Sequence, residues 1–201
     1  MLFTIKNILF LPLLILYLIS TAKQKQYIRL DVDRWIDIQP RPEKNHLMCL
    51  CGLLASSKQF RNLYYFRLSK ETRFLRAVVR LTKIFYRPLS TLHIGWDCEF
   101  GPGLFIQHGD CTMVSCKMGK NGWINQHVAI GALDNDGFPT LGDNCRITVG
   151  AKVLGNIHLG DNVTVGANAV VVRNVPSNCV VVGVPAYIVK RNGVKVREKL
   201  G

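Results

Sequence analysis

The sequence lacks a hydrophobic run long enough to cross a bilayer as a helix. The apolar segment near the N-terminus, Ile8–Ser20, has 13 residues, whereas a membrane-spanning helix needs about 20. Three structures are open to this segment. It is the hydrophobic region of a signal peptide with a cleavage site near Ala22, a helix at a membrane surface beside basic residues, or a buried helix.

The sequence also lacks the even, regularly spaced cysteines of a disulfide scaffold. Its seven cysteines are an odd number without regular spacing, which fits a reducing compartment. Cys49 and Cys51 lie close together, but no second close pair follows to complete a zinc site. We therefore predict neither a disulfide framework nor a bound metal.

Acidic residues are scarce in the first part of the chain. Residues 1–92 contain 16 Lys and Arg against 5 Asp and Glu, whereas residues 93–201 contain 10 against 8. Most of the net charge of +13 therefore precedes residue 93. Such a region suits an anionic membrane surface, a phosphorylated substrate or nucleic acid, or it is simply a solvated basic face.

Two segments of this basic region have apolar residues at spacings of three and four, which predicts helices at Phe60–Leu68 and Phe74–Tyr86. The second helix is predicted to have one apolar stripe, formed by Phe74, Leu75, Val78, Val79, Thr82 and Phe85. Asp37–His46, with two prolines, predicts a loop. We assign residues 1–92 to an α-helical region that includes the apolar segment 8–20.

From Ile94 onward the sequence period changes to six. Aliphatic residues lead 11 of 13 hexads, and one Phe and one Thr lead the others. The hexads begin at Ile94, Phe100, Ile106, Thr112, Met118, Ile124 and Ile130, and again at Leu141, Ile147, Val153, Leu159, Val165 and Val171. This period predicts a short strand and a turn per hexad, and three hexads form one triangular coil. One coil cannot bury its apolar face alone, so stacked coils share a core.

The small fifth residues of three hexads, Cys98, Cys116 and Cys145, are predicted to pack in that core. The hexads, the segment VGAKVLGNIHLGDNVTVGANAVVVRNVP and the closing VVVGVPAYIVK resemble the hexapeptide-repeat acyltransferases, in particular serine acetyltransferases and related sugar O-acetyltransferases. The resemblance implies a left-handed parallel β-helix, here residues 93–190, followed by a basic tail, 191–201. It also implies a trimer, with acetyl-CoA in the cleft between neighbouring β-helices.

His108, in the segment FIQHGD, lies where the resemblance places the catalytic histidine. Acetyl transfer to a hydroxyl needs a general base for the hydroxyl proton, and histidine suits that task near neutral pH. Gln126, 18 residues later, is predicted to stack on His108 one coil away, with His127 beside it. We predict His108 and His127 as catalytic residues, although His127 is equally a candidate for a solvated or interface residue.

Three positions depart from the serine acetyltransferase pattern. The carboxylate that orients the catalytic histidine falls at His93, the second active-site histidine at Phe138, and the acidic residue before the catalytic histidine at Gln107. These losses weaken the case for serine as the acceptor. Asp97, Glu99 and Asp110 are the candidates for a replacement carboxylate, and the sequence does not choose among them.

The resemblance places the acetyl-CoA contacts at small residues that permit close approach and at two basic residues that meet phosphates. These positions are Gly131, Ala132, Val149, Gly150, Ala167, Asn168, Arg173 and Lys190. Ordinary turn packing is the alternative explanation for the small residues.

We therefore predict an acetyl-CoA-dependent O-acetyltransferase that modifies a sugar hydroxyl in surface-polysaccharide biosynthesis, with serine O-acetyltransferase as the alternative. A third hypothesis is a non-catalytic or zinc-binding β-helix. Zinc would need three histidines, but His108 and His127 provide only two. We predict a homotrimer without nucleic acid. Because acetyl-CoA is cytosolic, residues 1–22 are predicted to stay on the chain and to place it in the cytoplasm at the inner membrane surface. The alternative hypothesis is that Ile8–Ser20 forms a helix packed against the β-helix or against another subunit.

Overall fold

The computed structural model describes residues 9–42, 45–135 and 137–201. The chain divides into two compact units, Met1–Ser90 and Thr91–Gly201. The first residue of the apolar segment, Ile8, and the preceding Lys6 lie outside the described residues.

The first unit is helical. Its described helices are α1 (Leu11–Leu18), α2 (Ala22–Ile38), α3 (His46–Ser56), α4 (Lys58–Ser69) and α5 (Arg73–Phe85). A polar side chain precedes each of the last four helices and accepts a hydrogen bond from a backbone N–H of the first turn, which fixes where the helix begins. These N-cap residues are Thr21, Asn45, Ser57 and Thr72.

The helices of this unit enclose a buried ion pair. Arg67 of α4 donates to both carboxylate oxygens of Asp31 of α2, at 2.8 and 3.0 Å. A bidentate pair of this kind satisfies both buried charges at once. Tyr64 of α4 donates to the carbonyl of Leu13 at 2.6 Å, which ties α1 to the same core. Among the described residues, no helix combines the length and apolarity that crossing a membrane requires.

The apolar stripe predicted for α5 is only partly buried. Leu75 and Val79 lie in the core, but Phe74 and Phe85 are exposed. α5 packs against α4. Leu75 and Val79, one helical turn apart, lie on the buried side of α5, and the residues on the neighbouring side are left uncovered. The predicted stripe is therefore buried at Leu75 and Val79 and exposed at Phe74 and Phe85.

The second unit is a stack of parallel coils, as the hexads predict. In residues 91–135 and 137–201, sixteen strands form three sheets with the orders β1-β4-β7-β10-β13, β2-β5-β8-β11 and β3-β6-β9-β12-β14-β15-β16, here called the first, second and third sheets. The strands are β1 (Leu92–Ile94), β2 (Glu99–Phe100), β3 (Phe105–Ile106), β4 (Thr112–Val114), β5 (Lys117–Met118), β6 (Trp123–Ile124), β7 (Ala129–Gly131), β8 (Thr140–Leu141), β9 (Arg146–Ile147), β10 (Lys152–Leu154), β11 (His158–Leu159), β12 (Thr164–Val165), β13 (Val170–Val171), β14 (Cys179–Val182), β15 (Tyr187–Arg191) and β16 (Val194–Lys199).

Hexad leaders stack in columns inside the coils. In the third sheet Ile106 pairs with Ile124, then Ile147, Val165 and Val181, and each is 1% exposed or less. The cysteines at the fifth hexad positions are buried as well.

One leader is misassigned. Val114, and not Thr112, pairs with Ile94 and with Ile130. The turn between Ile106 and Val114 is two residues longer than the corresponding turn between Ile124 and Ile130 in the next coil, and this shifts the register. Thr112 is nevertheless buried.

The last residues are not a free tail. β16 pairs antiparallel with β15, and Arg191 pairs with Val194 across the turn. The turn residues Asn192 and Gly193 both have positive φ, 48° and 84°, as a tight hairpin turn requires. The prediction of a basic tail at 191–201 overlooked this Asn-Gly signal.

Candidate active site

The predicted catalytic residues lie at one corner of the coils, which we call the His108 corner. It comprises the turns that lead from the third sheet to the first, residues 107–111, 125–128, 148–151 and 166–169. His108 lies in the first of these turns and His127 in the second, so consecutive coils present the two histidines at the same corner.

The turn that carries His108 is expanded. Eight residues separate Ile106 from Val114, whereas six separate their partners Ile124 and Ile130. Stacked residues of the two coils are 18 positions apart in sequence as far as Gln107, whose N–H donates to the Ile124 carbonyl at 2.8 Å. After Gln107 this spacing is lost. The turn contains three residues with positive φ, namely His108 at 64°, Gly109 at 76° and Cys111 at 48°.

The expansion changes which residues stack at the corner. The His127 N–H donates to the carbonyl of Asp110 at 2.8 Å, and the strand register that follows sets His127 over Cys111. The predicted stacking of Gln126 on His108 is therefore wrong, because His108 lies within the expansion. Gly150 and Asn168 continue the column of Cys111 and His127 in the higher coils, and all four residues have positive φ.

Beside His108, the side chain of Gln107 accepts two hydrogen bonds. Its Oε1 accepts from Trp123 Nε1 at 3.1 Å and from Asn125 Nδ2 at 3.3 Å. The indole N–H is only a donor, so it fixes the orientation of the Gln107 amide and, in turn, that of the Asn125 amide. Trp123 is itself held by an edge contact with Phe105 and by the guanidinium of Arg146, 4.3 Å from its ring centre.

Two buried acceptors at this corner remain unused. Asn125 Oδ1 and Gln126 Oε1 are buried and have no hydrogen-bond partner among the described residues. A buried acceptor without a partner costs free energy, so both atoms call for a donor. The side chains of His108 and His127 are exposed, and no hydrogen bond to either imidazole occurs within the described part of the chain.

The candidate carboxylates have other contacts. Asp110 Oδ1 accepts from Thr91 Oγ1 at 3.2 Å, and Glu99 lies 3.1 Å from Lys117 Nζ across the second sheet. Asp97 follows β1 near Gly95, away from the His108 corner. Asp110 is the only one of the three in the turn that carries His108.

The positions predicted to contact acetyl-CoA lie at two edges of the first sheet. Val149, Gly150, Ala167 and Asn168 are at the His108 corner. At the far edge of that sheet lie Gly131, the last residue of β7, Ala132 after it, and Arg173 after β13, whereas Lys190 is in β15 of the last hairpin. One β-helix therefore does not bring all eight together.

The two glycines of this set differ in their surroundings. Gly150 has φ of 71°, and a Cβ there would lie 2.0 Å from Asn168 Oδ1, so the backbone alone explains this glycine. A Cβ at Gly131 would meet nothing within 4 Å. Only Gly131 leaves open space in which something other than this chain could pack.

A cavity of about 530 Å³ lies against the last hairpin. Its apolar lining includes Tyr187 and Leu200, and its cations are Arg173, Arg197 and Lys199. Arg173 was predicted from the sequence, whereas Lys190 is not among the residues that line the cavity. Sequence reasoning missed Arg197 and Lys199 because it treated them as part of a tail.

Other residues of the site were also missed. Nothing in the hexad pattern distinguishes Trp123 and Asn125, since their importance comes from the neighbouring coil. Lys152 donates to the carbonyls of His127 and Gly150, at 2.9 and 2.8 Å, and so ties two coils of the corner together. Among the described residues, no group of three or more His, Cys, Asp or Glu is arranged to hold a metal ion.

Comparison with known proteins adds to this geometry. Residues 138–173 match the family described as bacterial transferase hexapeptide (six repeats). The chain is 40% identical over 126 residues to a serine acetyltransferase of Staphylococcus aureus strain Mu50, an alignment that covers 60% of this chain and 57% of that protein. The chain thus spans little more than half the length of this curated relative.

Solved structures show the same architecture. The serine acetyltransferase of Neisseria gonorrhoeae in complex with serine matches with a TM-score of 0.66 and 25% identity, over 85% of this chain and 70% of that one. The Brucella abortus strain S19 enzyme in complex with coenzyme A matches with a TM-score of 0.66 and 23% identity, over 87% and 71%, a likeness in fold. The hexapeptide repeats indicate a left-handed β-helix, and the resemblance to the hexapeptide-repeat acyltransferases is confirmed.

Proposed function

We propose that this chain is an O-acetyltransferase that takes its acetyl group from acetyl-CoA, with His108 as the general base. One observation carries the proposal: an exposed histidine lies in an expanded turn, beside buried hydrogen-bond acceptors that have no partner among the described residues. The relatives, which are named serine acetyltransferases, support the reaction class.

The chemistry follows from the position of His108. Its imidazole takes the proton of the acceptor hydroxyl as that oxygen attacks the thioester carbonyl. The same group then returns the proton to the coenzyme A thiolate, so the acceptor gains an acetyl ester and the thiol is regenerated. We assign His127, on the next coil, to the same acceptor site.

L-Serine is the first candidate for the acceptor. The sequence alone favoured a sugar, but the relatives favour the serine alternative, and one neighbour in fold was solved with serine. Asn125 Oδ1 and Gln126 Oε1 could accept hydrogen bonds from the ammonium group of such a substrate.

A sugar hydroxyl is the second candidate, and Gln107 favours it. The Gln107 amide is neutral, and its oxygen is fully engaged by Trp123 and Asn125. An amino acid's ammonium group would gain from a carboxylate at this position, whereas a neutral sugar needs only hydrogen bonds. His93 and Phe138 replace two further polar groups of the serine enzymes in the same way.

Acetyl-CoA turnover against L-serine and a panel of sugars tests both candidates. Gln107→Glu keeps an oxygen for Trp123 and Asn125 but adds a negative charge, so it should improve serine turnover relative to sugar turnover. Gln107→Leu is the matched variant without an acceptor atom. Transfer to neither acceptor class by the folded wild-type chain would refute the proposed reaction.

For acetyl-CoA itself, the cavity at the last hairpin is the best-supported anion site. Arg173, Arg197 and Lys199 give it three cations, while Glu198 pairs with Arg191. Such a site suits phosphate groups beside an apolar surface. Coenzyme A should protect the chain from thermal unfolding, and Arg197→Gln should weaken that protection.

We also propose a homotrimer, which would bring the two edges of the first sheet on neighbouring chains to one cleft. Light scattering in solution tests it. The same proposal places the enzyme in the cytoplasm, where its acetyl donor is found, with residues 1–22 at the inner membrane surface. The exposed Leu11, Ile15 and Leu18 of α1 and the nearby Lys23 and Lys25 support this contact.

A further inference from the structure

Helix α5 exposes large apolar side chains along one side. Phe74, Leu81, Ile84 and Phe85 are each between 60% and 81% exposed. Phe74, Leu81 and Phe85 are seven and four residues apart, so they share one face of the helix. Single exposed apolar residues are ordinary, but several along one helix mark a contact surface.

A second side of the same helix is basic. Arg76 and Arg80 lie one turn apart, with Arg73 before them and Lys83 after them. No Asp or Glu occurs from Arg73 to Arg87. The helix therefore has a buried stripe, an exposed apolar stripe and a basic stripe, and the last two lie side by side along its length.

The residue after α5 contacts the residue before α1. The rings of Phe10 and Tyr86 meet edge to face with their centres 5.1 Å apart. Phe10 immediately precedes α1 and Tyr86 immediately follows α5, so this contact brings the start of α1 next to the end of α5.

We propose that the exposed stripes of α5, formed by Phe74, Leu81, Phe85, Arg76 and Arg80 and here called the α5 surface, dock on an anionic lipid bilayer. The inference rests on the membrane contact proposed above and names α5, rather than residues 1–22, as its main element. A helix at a bilayer surface needs an apolar side for the acyl boundary and cations for the headgroups. The 16 Lys and Arg against 5 Asp and Glu in residues 1–92 extend the same complementarity.

Co-sedimentation of the full chain with lipid vesicles tests the α5 surface. We expect binding to vesicles that contain phosphatidylglycerol, weaker binding at high salt, and little binding to pure phosphatidylcholine. Phe85→Glu should weaken binding about tenfold or more. Arg76→Gln and Arg80→Gln should each weaken binding about fivefold, but only to the anionic vesicles.

Two control variants make the result specific. Val194→Glu places the same charge on an exposed apolar residue of β16 and should leave vesicle binding unchanged. Ile15→Glu tests the contact through α1 instead. Because all these residues are exposed, circular dichroism should show native helix content, and Phe74→Glu gives a second variant at the other end of the stripe.

Unchanged vesicle binding by both Phe85→Glu and Phe74→Glu would overturn the inference. If Ile15→Glu alone removed binding, the contact through residues 1–22 would stand and the α5 surface would not. If Phe85→Glu instead lowered the oligomeric state in the absence of vesicles, the stripe would be an interface between copies. Vesicle binding needs no acetyl transfer, so failure of the proposed reaction is measured separately.

Discussion

Two corners of the β-helix use the same backbone turn for opposite purposes. The first, here called the asparagine corner, joins the second sheet to the third and has Asn121, Asn144, Asn162 and Asn178 in one column, with φ of 55° to 58°. Their side-chain amides form a ladder in which each Nδ2 donates to the next Oδ1, at 3.2, 3.0 and 2.8 Å.

The His108 corner has the same positive φ but no such ladder. Its column is Cys111, His127, Gly150 and Asn168, residues of different chemistry, and buried acceptors beside it lack partners within the described chain. Asparagine tolerates the left-handed region because its short amide bonds locally. The side chains of the asparagine corner satisfy one another, as a purely structural turn requires, whereas the His108 corner, our proposed acceptor site, has no such ladder.

The largest expected effect removes the support that both corners share. Val165 lies in the third sheet, which connects them, and is fully buried between Ile147 and Val181. Val165→Asp should cost about 4 kcal/mol or more, because the carboxyl group would be buried without a partner. Thr164→Asp, one residue earlier and facing outward, should cost little. Equal melting temperatures for the two variants would show that the register is wrong.

The next effect separates the corners by activity. His108→Ala should lower kcat about 10²- to 10⁴-fold, as expected for loss of a general base, with an unchanged melting temperature. His158→Ala is the matched control, because His158 is exposed on the second sheet and contacts Thr140 Oγ1 at 3.0 Å. Wild-type turnover by folded His108→Ala would contradict the assignment of His108 as the general base.

The coils were predictable from the sequence because their cause is local and periodic. A leader every six residues, such as Ile124, Ile147 and Val165, has one way to become buried, and the structure buries each of them. The register failed only at Thr112, where the turn before Val114 is two residues longer and the turn between Val114 and Met118 two residues shorter. The two changes cancel, so the period of six continues through them and the sequence carries no sign of the shift. The hairpin of β15 and β16 was predictable from Asn192-Gly193, but it lies outside the hexads and does not share their period.

The candidate site was less predictable, because its contacts join residues on different coils. The resemblance supplied His108, but no spacing rule pairs Gln107 with Trp123 and Asn125, whose side chains differ in length and reach sideways. The sequence did not predict which side of α5 is buried, for a related reason. Amphipathic periodicity shows that Phe85 and Leu75 are apolar positions of a helix, but only the neighbouring helices decide which of them is covered.

A smaller effect sharpens the comparison by stability. Asn162→Gly keeps the positive φ that glycine adopts freely but breaks the ladder on both sides, so it should cost about 1–2 kcal/mol. Asn168→Gly makes the same change at the His108 corner, where the side chain makes no ladder, and should cost clearly less. Thermal unfolding of both variants without ligand measures the difference. Equal losses would mean that the ladder adds nothing.

The smallest effect leaves stability unchanged and concerns which thiol reacts. Cys111 is the exposed cysteine of the seven, and it stacks below His127 at the His108 corner. Burial raises the pKa of the Cys116 thiol and raises the pKa of Cys145 to about 11. Both therefore stay protonated and unreactive at pH 8, because only the thiolate is the nucleophile.

Iodoacetamide should label one cysteine per native chain, found at Cys111 by peptide mass spectrometry, and seven after unfolding. An adduct at Cys111 should raise the KM for the acceptor, since it lies under His127, and reaction at Cys116 or Cys145 in the native chain would contradict the buried core.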